Sequence, residues 1–354
     1  MTGEAFTEIV RVDHSRAVKD SSFARSYSQN PGFCVYSERF AEDVLGDSPK
    51  LTLVEKRDYQ FAHEAGVYVR PTNCIYFTSN FHTCDPVHLY AIDAATHKVT
   101  QLDFPEVVQA NGACNYKDGV LYCSQGDRTT PSGLVHVDPV TEKSETLINN
   151  FYGREFNSVN DVVVHHETGE IWFTDPNYGY HQAFRPASVL PPQVYRFNPT
   201  SKECWMVADG FVECNGLCFS PDYKRLYVTD TGAVQAHAGP GDGHQLSMNP
   251  KLPGTIYVYD VVDGRELHNR RVFAFCAIGI PDGIKCDEKG YVYSGCGDGV
   301  HCWAPDGTLV GKIVTVGCAA NFCFAKEGMW LFAEQDLFFC QLKGKGCLVK
   351  IECE

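Results

Sequence analysis

The chain has no apolar run long enough to cross a bilayer. The longest candidate lies near residues 272–280, and a membrane-spanning helix needs about 20 apolar residues. An excess of positive charge is also missing: 30 Lys and Arg against 44 Asp and Glu give a formal charge of −14. An acidic surface repels phosphate backbones, so neither nucleic acid nor an anionic membrane is an expected partner. The N-terminal stretch MTGEAFTEIVRVDHSRAVKD has no apolar signal core, and the expected location is cytoplasmic. The 17 cysteines include no C-x-x-C pair, which removes zinc-ribbon and thioredoxin readings. Their number is odd and they are scattered through apolar runs, as reduced core thiols would be. No G-x-S-x-G elbow, H-E-x-x-H pair or Walker A loop is present. The helical period of 3.6 residues is almost absent.

What remains is a chain of short alternating segments rich in Val, Ile, Tyr and Phe, divided by Gly, Pro, Asp and Asn. This predicts an all-β protein. One strand type recurs six times, as IYFTSN at 75–80, VLYCSQG at 120–126, IWFTDP at 171–176, LYVTDT at 226–231, YVYSGCG at 291–297 and MWLFAEQ at 329–335. A further strand follows each, from HLYAID at 88–93 to LFFCQL at 337–342. Repeats of about 40–65 residues with about four strands each predict a six-bladed β-propeller with a central metal channel. Residues 51–354 form the propeller domain in this reading. LTLVEK at 51–56 is a closing strand for the last blade, and residues 1–50 are an extension packed on the outside. GCGDGV at 295–300 reads as a hairpin turn, and His165 and His166 read as surface residues.

Ahead of each aromatic strand lies a segment with one carboxylate or carboxamide at its start: Glu64, Asn111, Asn160, Asn215, Asp282 and Asn321. The intervals between these six match those between the aromatic strands to within one residue. They therefore occupy equivalent places at the starts of the innermost strands and converge on the axis. Two carboxylates and four amides, with no Cys or His among them, suit a hard divalent cation. Calcium is the expected ion, with zinc, magnesium or manganese as alternatives. The connections from second to third strands overhang this ring and are long in blades three and four. They bring His82, Asp127, Arg128, Tyr178, Tyr180, His181 and Phe184 to the rim, where His82, Arg128, Tyr178 and His181 are candidate substrate contacts.

The segments NDVVVHHETGEIWFTDPNYG, CNGLCFSPDYKRLYVTDT and IPDGIKCDEKGYVYSGCGDGVHCWAPDG resemble blade signatures of the SMP-30/gluconolactonase/LRE-like family, most nearly its fungal lactonohydrolase-type branch. The resemblance covers roughly residues 60–345. It implies one divalent metal in the channel and hydrolysis of a small-molecule lactone. By matching motif, Glu64, Asn215 and Asp282 stand in ligand positions, Asp282 is also the candidate base, and Asn160 lies near metal and substrate. Asn111 and Asn321 are placed as substrate contacts. The chain departs from the family pattern at Gly66, where proline is frequent, and in its N-terminal extension. The expected mechanism is direct attack of water on a polarised carbonyl, with Asp282 as base and amides of Asn160 or Asn111 stabilising the oxyanion. The alternatives are a propeller that hydrolyses phosphotriesters and a non-catalytic binding propeller.

Overall fold

The computed structural model describes residues 3–13, 30–82, 86–238, 244–315 and 317–348. Six sheets stand around a central axis, four running outward in chain order from the innermost strand and the last two extended at their outer edges by N-terminal strands. The innermost strands are Glu64–Val69, Ala110–Tyr116, Val162–His165, Cys214–Phe219, Ile284–Cys286 and Asn321–Ala325. The aromatic second strands are Cys74–Thr78, Gly119–Ser124, Glu170–Asp175, Arg225–Asp230, Val292–Cys296 and Gly328–Ala333. The architecture is the expected six-bladed propeller.

The second strands are buried on both faces, which explains their near-continuous apolar character. The core follows from this. Six apolar clusters fill the six gaps between neighbouring blades. Trp172 and Phe219 meet edge to face between blades three and four, and Phe77 and Phe332 stack between blades one and six. Every described cysteine is a free thiol. Among the described residues no helix is long and apolar enough to cross a membrane.

The N-terminal region completes two blades. Lys50–Lys56 pairs antiparallel with Asp336–Gln341, the third strand of blade six, so the first and last parts of the domain share one sheet. Ala5–Phe6 adds to that edge. Gly32–Val35 pairs antiparallel with Leu309–Val314 of blade five, and Ile9–Arg11 runs parallel beside it. The turn of helix at Phe40–Leu45 sinks Phe40, Val44 and Leu45 into the gap between blades five and six.

GCGDGV is the hairpin joining Val292–Cys296 to Gly299–Trp303. One expectation is corrected: His165 is buried, not on the surface. It lies against the rings of Phe219 and Tyr223 at the far end of its inner strand. The aromatic residues of blade four give its ring a partner that the local sequence does not reveal.

The closing strand has a measurable role. Leu51 is fully buried against blade six, so Leu51→Ala is expected to lower the unfolding free energy by about 2–5 kcal/mol. The exposed neighbour Lys50 is expected to cost less than ~0.5 kcal/mol as Lys50→Ala. Urea melts of the two variants check this, and equal effects would contradict it.

Candidate metal centre

The innermost strands are joined to one another, and five of the six gaps are bridged at the level of the predicted ring. Gly112 N donates to Asn160 O (2.8 Å) between blades two and three, whereas blades one and two are joined near the far ends of their inner strands, by Asn115 Nδ2 donating to Tyr68 O (2.6 Å). Thr174 Oγ1 donates to Asn215 O (2.6 Å), and Leu217 N to Asp161 Oδ2 (3.1 Å), between three and four. Thr229 Oγ1 donates to Asp282 O (3.1 Å), Gly283 N to Ala320 O (3.0 Å) and Asn321 Nδ2 to Glu64 Oε2 (2.8 Å), which completes the circle. The glycine that follows Asn111, Asn215 and Asp282 has a steric reason. A Cβ on Gly112 would lie 2.6 Å from Asn160 O, and one on Gly216 would lie 2.6 Å from Asp282 O.

Glu64 is set by a local irregularity. Ala65 and Gly66 both have positive φ, at 68° and 92°, and the register to the next strand shifts there. Proline has φ locked near −65° and cannot take this conformation. A side chain at 66 would also strike the Phe332 ring. The backbone path beside Glu64 thus excludes the proline that is frequent in the family pattern at position 66.

Glu64 and Asp282 come together, and each is nearly buried. A nitrogen of His63 joins them, the three donor atoms lying within 4.8 Å of one another. This corrects the expectation that no histidine belongs to the ring. His63 Nδ1 donates to Glu334 Oε1 (2.8 Å), and Asn80 Nδ2 donates to Glu334 Oε2 (3.0 Å). Burial works against the imidazolium, but Glu334, with Glu64 and Asp282 behind it, lifts its pKa to about 10. Burial pushes the Asp282 carboxyl well above the usual carboxylate range, and the charge of Glu64 pushes it further, while His63 and a hydrogen bond from Asn215 act in the opposite direction. Asp161, next to the ring, is pushed up to about 7 by burial, with Lys285 opposing.

The other predicted residues divide into groups. Asn215 reaches Asp282 and also donates to the Tyr178 hydroxyl (3.4 Å). Asn160 is buried with Oδ1 unpartnered, as is Asp282 Oδ1. Asn321 uses both ends of its amide, Nδ2 on Glu64 and Oδ1 on the N–H of Phe322, so it holds Glu64 in place. Asn111 is half-buried and turns Oδ1 onto the N–H of Gly112.

At the rim, Tyr178 begins a single helical turn, Tyr178–His181, and its hydroxyl bonds Thr231. His181 Nε2 donates to the buried Glu213 (2.8 Å), which raises its pKa. Arg128 reaches Ala183 O (3.1 Å) and ties two rim loops together. Exposed His82 lies at the edge. Arg185 is buried under the loop and donates to Asp127 O, Thr130 O, Phe156 O, Asn157 O and Glu155.

His63, Glu334, Asn80, Glu213 and Arg185 were not among the expected site residues. The only sequence cue was position: His63 directly precedes Glu64, and Glu334 ends the sixth aromatic strand.

Residues 85–332 match the family model described as SMP-30/gluconolactonase/LRE-like region. The lactonohydrolase oryL of Aspergillus oryzae is 35% identical over 85% of this chain and 72% of its own length. A gluconolactonase of Zymomonas mobilis is 28% identical over 56% of this chain and 54% of its own length. Among solved structures, a gluconolactonase from Xanthomonas campestris superposes with a TM-score of 0.68 at 27% identity, covering 87% of this chain and 94% of that one. A calcium-binding regucalcin from Agrobacterium tumefaciens has the same fold, with a TM-score of 0.60 at 15% identity over 83% of this chain and 94% of its own.

The contact between Gly216 and the Asp282 carbonyl generates a prediction. Gly216→Ala forces the inner strands of blades four and five apart and is expected to destabilise the fold by about 1–3 kcal/mol. Chemical denaturation of the purified variant checks this, and unchanged stability would contradict it.

Proposed function

Because the chain belongs to the SMP-30/gluconolactonase/LRE-like family, we propose that it is a divalent-metal-dependent lactone hydrolase acting at the Glu64–Asp282 cluster. The observation that carries this reading is the meeting of two nearly buried carboxylates from blades one and five beside Asn215, which donates to the Tyr178 hydroxyl of the rim. The donor set fits a hard cation. Asp282 Oδ1 and Asn160 Oδ1 are buried without partners, and two adjacent carboxylates repel one another until a positive charge joins them. Glu64, Asn160, Asn215 and Asp282 would hold the ion. All four offer oxygen, so calcium suits the set better than zinc. When bound, such an ion is a Lewis acid toward an ester carbonyl.

The chain's own residues supply the rest. Water adds to the lactone carbonyl carbon as Asp282 takes its proton. The negative charge that develops on the carbonyl oxygen is met by amide hydrogens of Asn160 or Asn111, and no described residue uses Nδ2 of Asn111. The ring C–O bond then breaks, and the departing alkoxide takes a proton to give the hydroxy acid. His63, fixed by Glu334 beside Asp282, is placed to carry that proton. Burial, followed by Glu213 and Asp282, raises the pKa of Tyr178, so its hydroxyl stays protonated at the mouth. Tyr178 is the rim residue tied to the cluster, through Asn215, His181 is a candidate substrate contact on the same helical turn, and Arg128 ties the rim loops together.

The test is a pH-stat assay on sugar and aliphatic lactones, with a phosphotriester in parallel. Lactone turnover is expected to stop with chelator and return with calcium. Asp282→Asn is expected to lower kcat by about 10²–10⁴-fold with a much smaller change in KM. Wild-type turnover in that variant, chelator-resistant activity, or activity confined to the phosphotriester would overturn the reading.

A further inference from the structure

Away from the axis, blade five contains a second cluster of ligand atoms. Cys276 follows the outermost strand of blade four (Glu266–Phe275), Cys296 ends the second strand of blade five, and His301 lies in its third strand. The two Sγ atoms and one imidazole nitrogen lie within 4.8 Å of one another. All three residues are at most 1% exposed. We propose that Cys276, Cys296 and His301 form a second metal site, distinct from the axial cluster, that takes a thiophilic divalent ion of the zinc type.

Three features favour a metal site over a chance meeting of core residues. The first is donor chemistry: two thiols and an imidazole are a zinc set, unlike the all-oxygen donors at the axis. The second is outer support. His301 Nε2 donates to Asp298 Oδ1 (2.5 Å), and Asp298 Oδ2 accepts from Lys312 Nζ (3.0 Å). A carboxylate on one ring nitrogen fixes the tautomer and leaves a lone pair on the other, the arrangement common to metal-binding histidines. These partners are themselves nearly buried, at 7% side-chain exposure each.

The third feature is charge. Binding follows Zn²⁺ plus two thiols giving a zinc dithiolate and two protons. The dithiolate cancels the dication, and Asp298 and Lys312 already cancel one another, so the filled site adds no net charge to the interior. The carbonyl of Ile278, which accepts from Cys276 Sγ (3.0 Å), or a water completes a fourth position.

The site would act on the segment leading to Asp282. Only residues 277–281 separate Cys276 from Asp282, and they run over the hairpin after Cys296. Gly297 N donates to Ile278 O (3.0 Å), and a Cβ on Gly279 would lie 2.8 Å from Gly297 Cα. A metal bridging Cys276 to Cys296 and His301 would pin this loop from below and fix the entry of Asp282 into the ring.

The test uses the full-length protein, purified with thiols reduced, chelated and then titrated with Co²⁺ or Zn²⁺ alone. One equivalent of cobalt is expected to give near-ultraviolet thiolate charge-transfer absorption, which zinc removes while releasing about two protons. The double variant Cys276→Ser/Cys296→Ser is expected to lose the absorption. Asp298→Asn keeps all three ligands and is expected to weaken zinc binding by about 10–100-fold, which provides a measurement even if the double variant does not fold. No charge-transfer band in the wild type, an unchanged band in the folded double variant, unchanged affinity in Asp298→Asn, or a Cys276–Cys296 disulfide in the protein as isolated would overturn the proposal. Each of these readings is independent of lactone turnover, so this site and the axial site stand or fall separately.

Discussion

The closed circle of hydrogen bonds between innermost strands is the constraint on which the rest depends. From blade two round to blade one, each blade hands a backbone or side-chain donor to the next at the height where the polar residues begin, and blade two reaches back to blade one near the far ends of the strands. These contacts require backbones to approach until a methyl group would not fit, which is why glycine follows Asn111, Asn215 and Asp282. The same closeness brings side chains from opposite ends of the chain to one point. Closure of the last gap relies on a strand from the N-terminal region, Lys50–Lys56, and on the bond from Asn321 to Glu64. A packing rule and a chemical arrangement are thus one feature of the fold.

That geometry concentrates negative charge. Glu64 and Asp282 lie in a nearly closed place, with Glu334 behind them, and His63 is the positive group in contact. Burial pushes the Asp282 carboxyl toward its neutral form. A divalent ion among these oxygens would reverse the balance by favouring the ionised forms. The arrangement costs stability until a cation joins it, which is common at sites that serve binding or chemistry.

Much of this was legible in the sequence because a propeller writes its plan locally. Alternation, aromatic second strands and the regular return of one carboxylate or carboxamide ahead of each reveal the blades, and the matched intervals show which residues hold equivalent places. Pairings across the ring are different. His63 meets Glu334 over 271 positions, and no local pattern joins HEAG to the end of the sixth aromatic strand. The burial of His165 depends on Phe219 and Tyr223 from the next blade. Asn321 looked like a ligand from its spacing, but its amide is shared between Glu64 and a backbone N–H. The Cys276–Cys296–His301 cluster has no motif at all, because its ligands come from two blades and meet only when these pack.

The central claim is that Glu64 and Asp282 share one divalent cation on the axis. Calorimetric titration of the chelated protein with calcium tests it most directly. The account predicts one site per chain in the wild type, lost in both Glu64→Gln and Asp282→Asn while each variant stays folded. No calcium binding by the wild-type protein, or binding unchanged in the two folded variants, would contradict it.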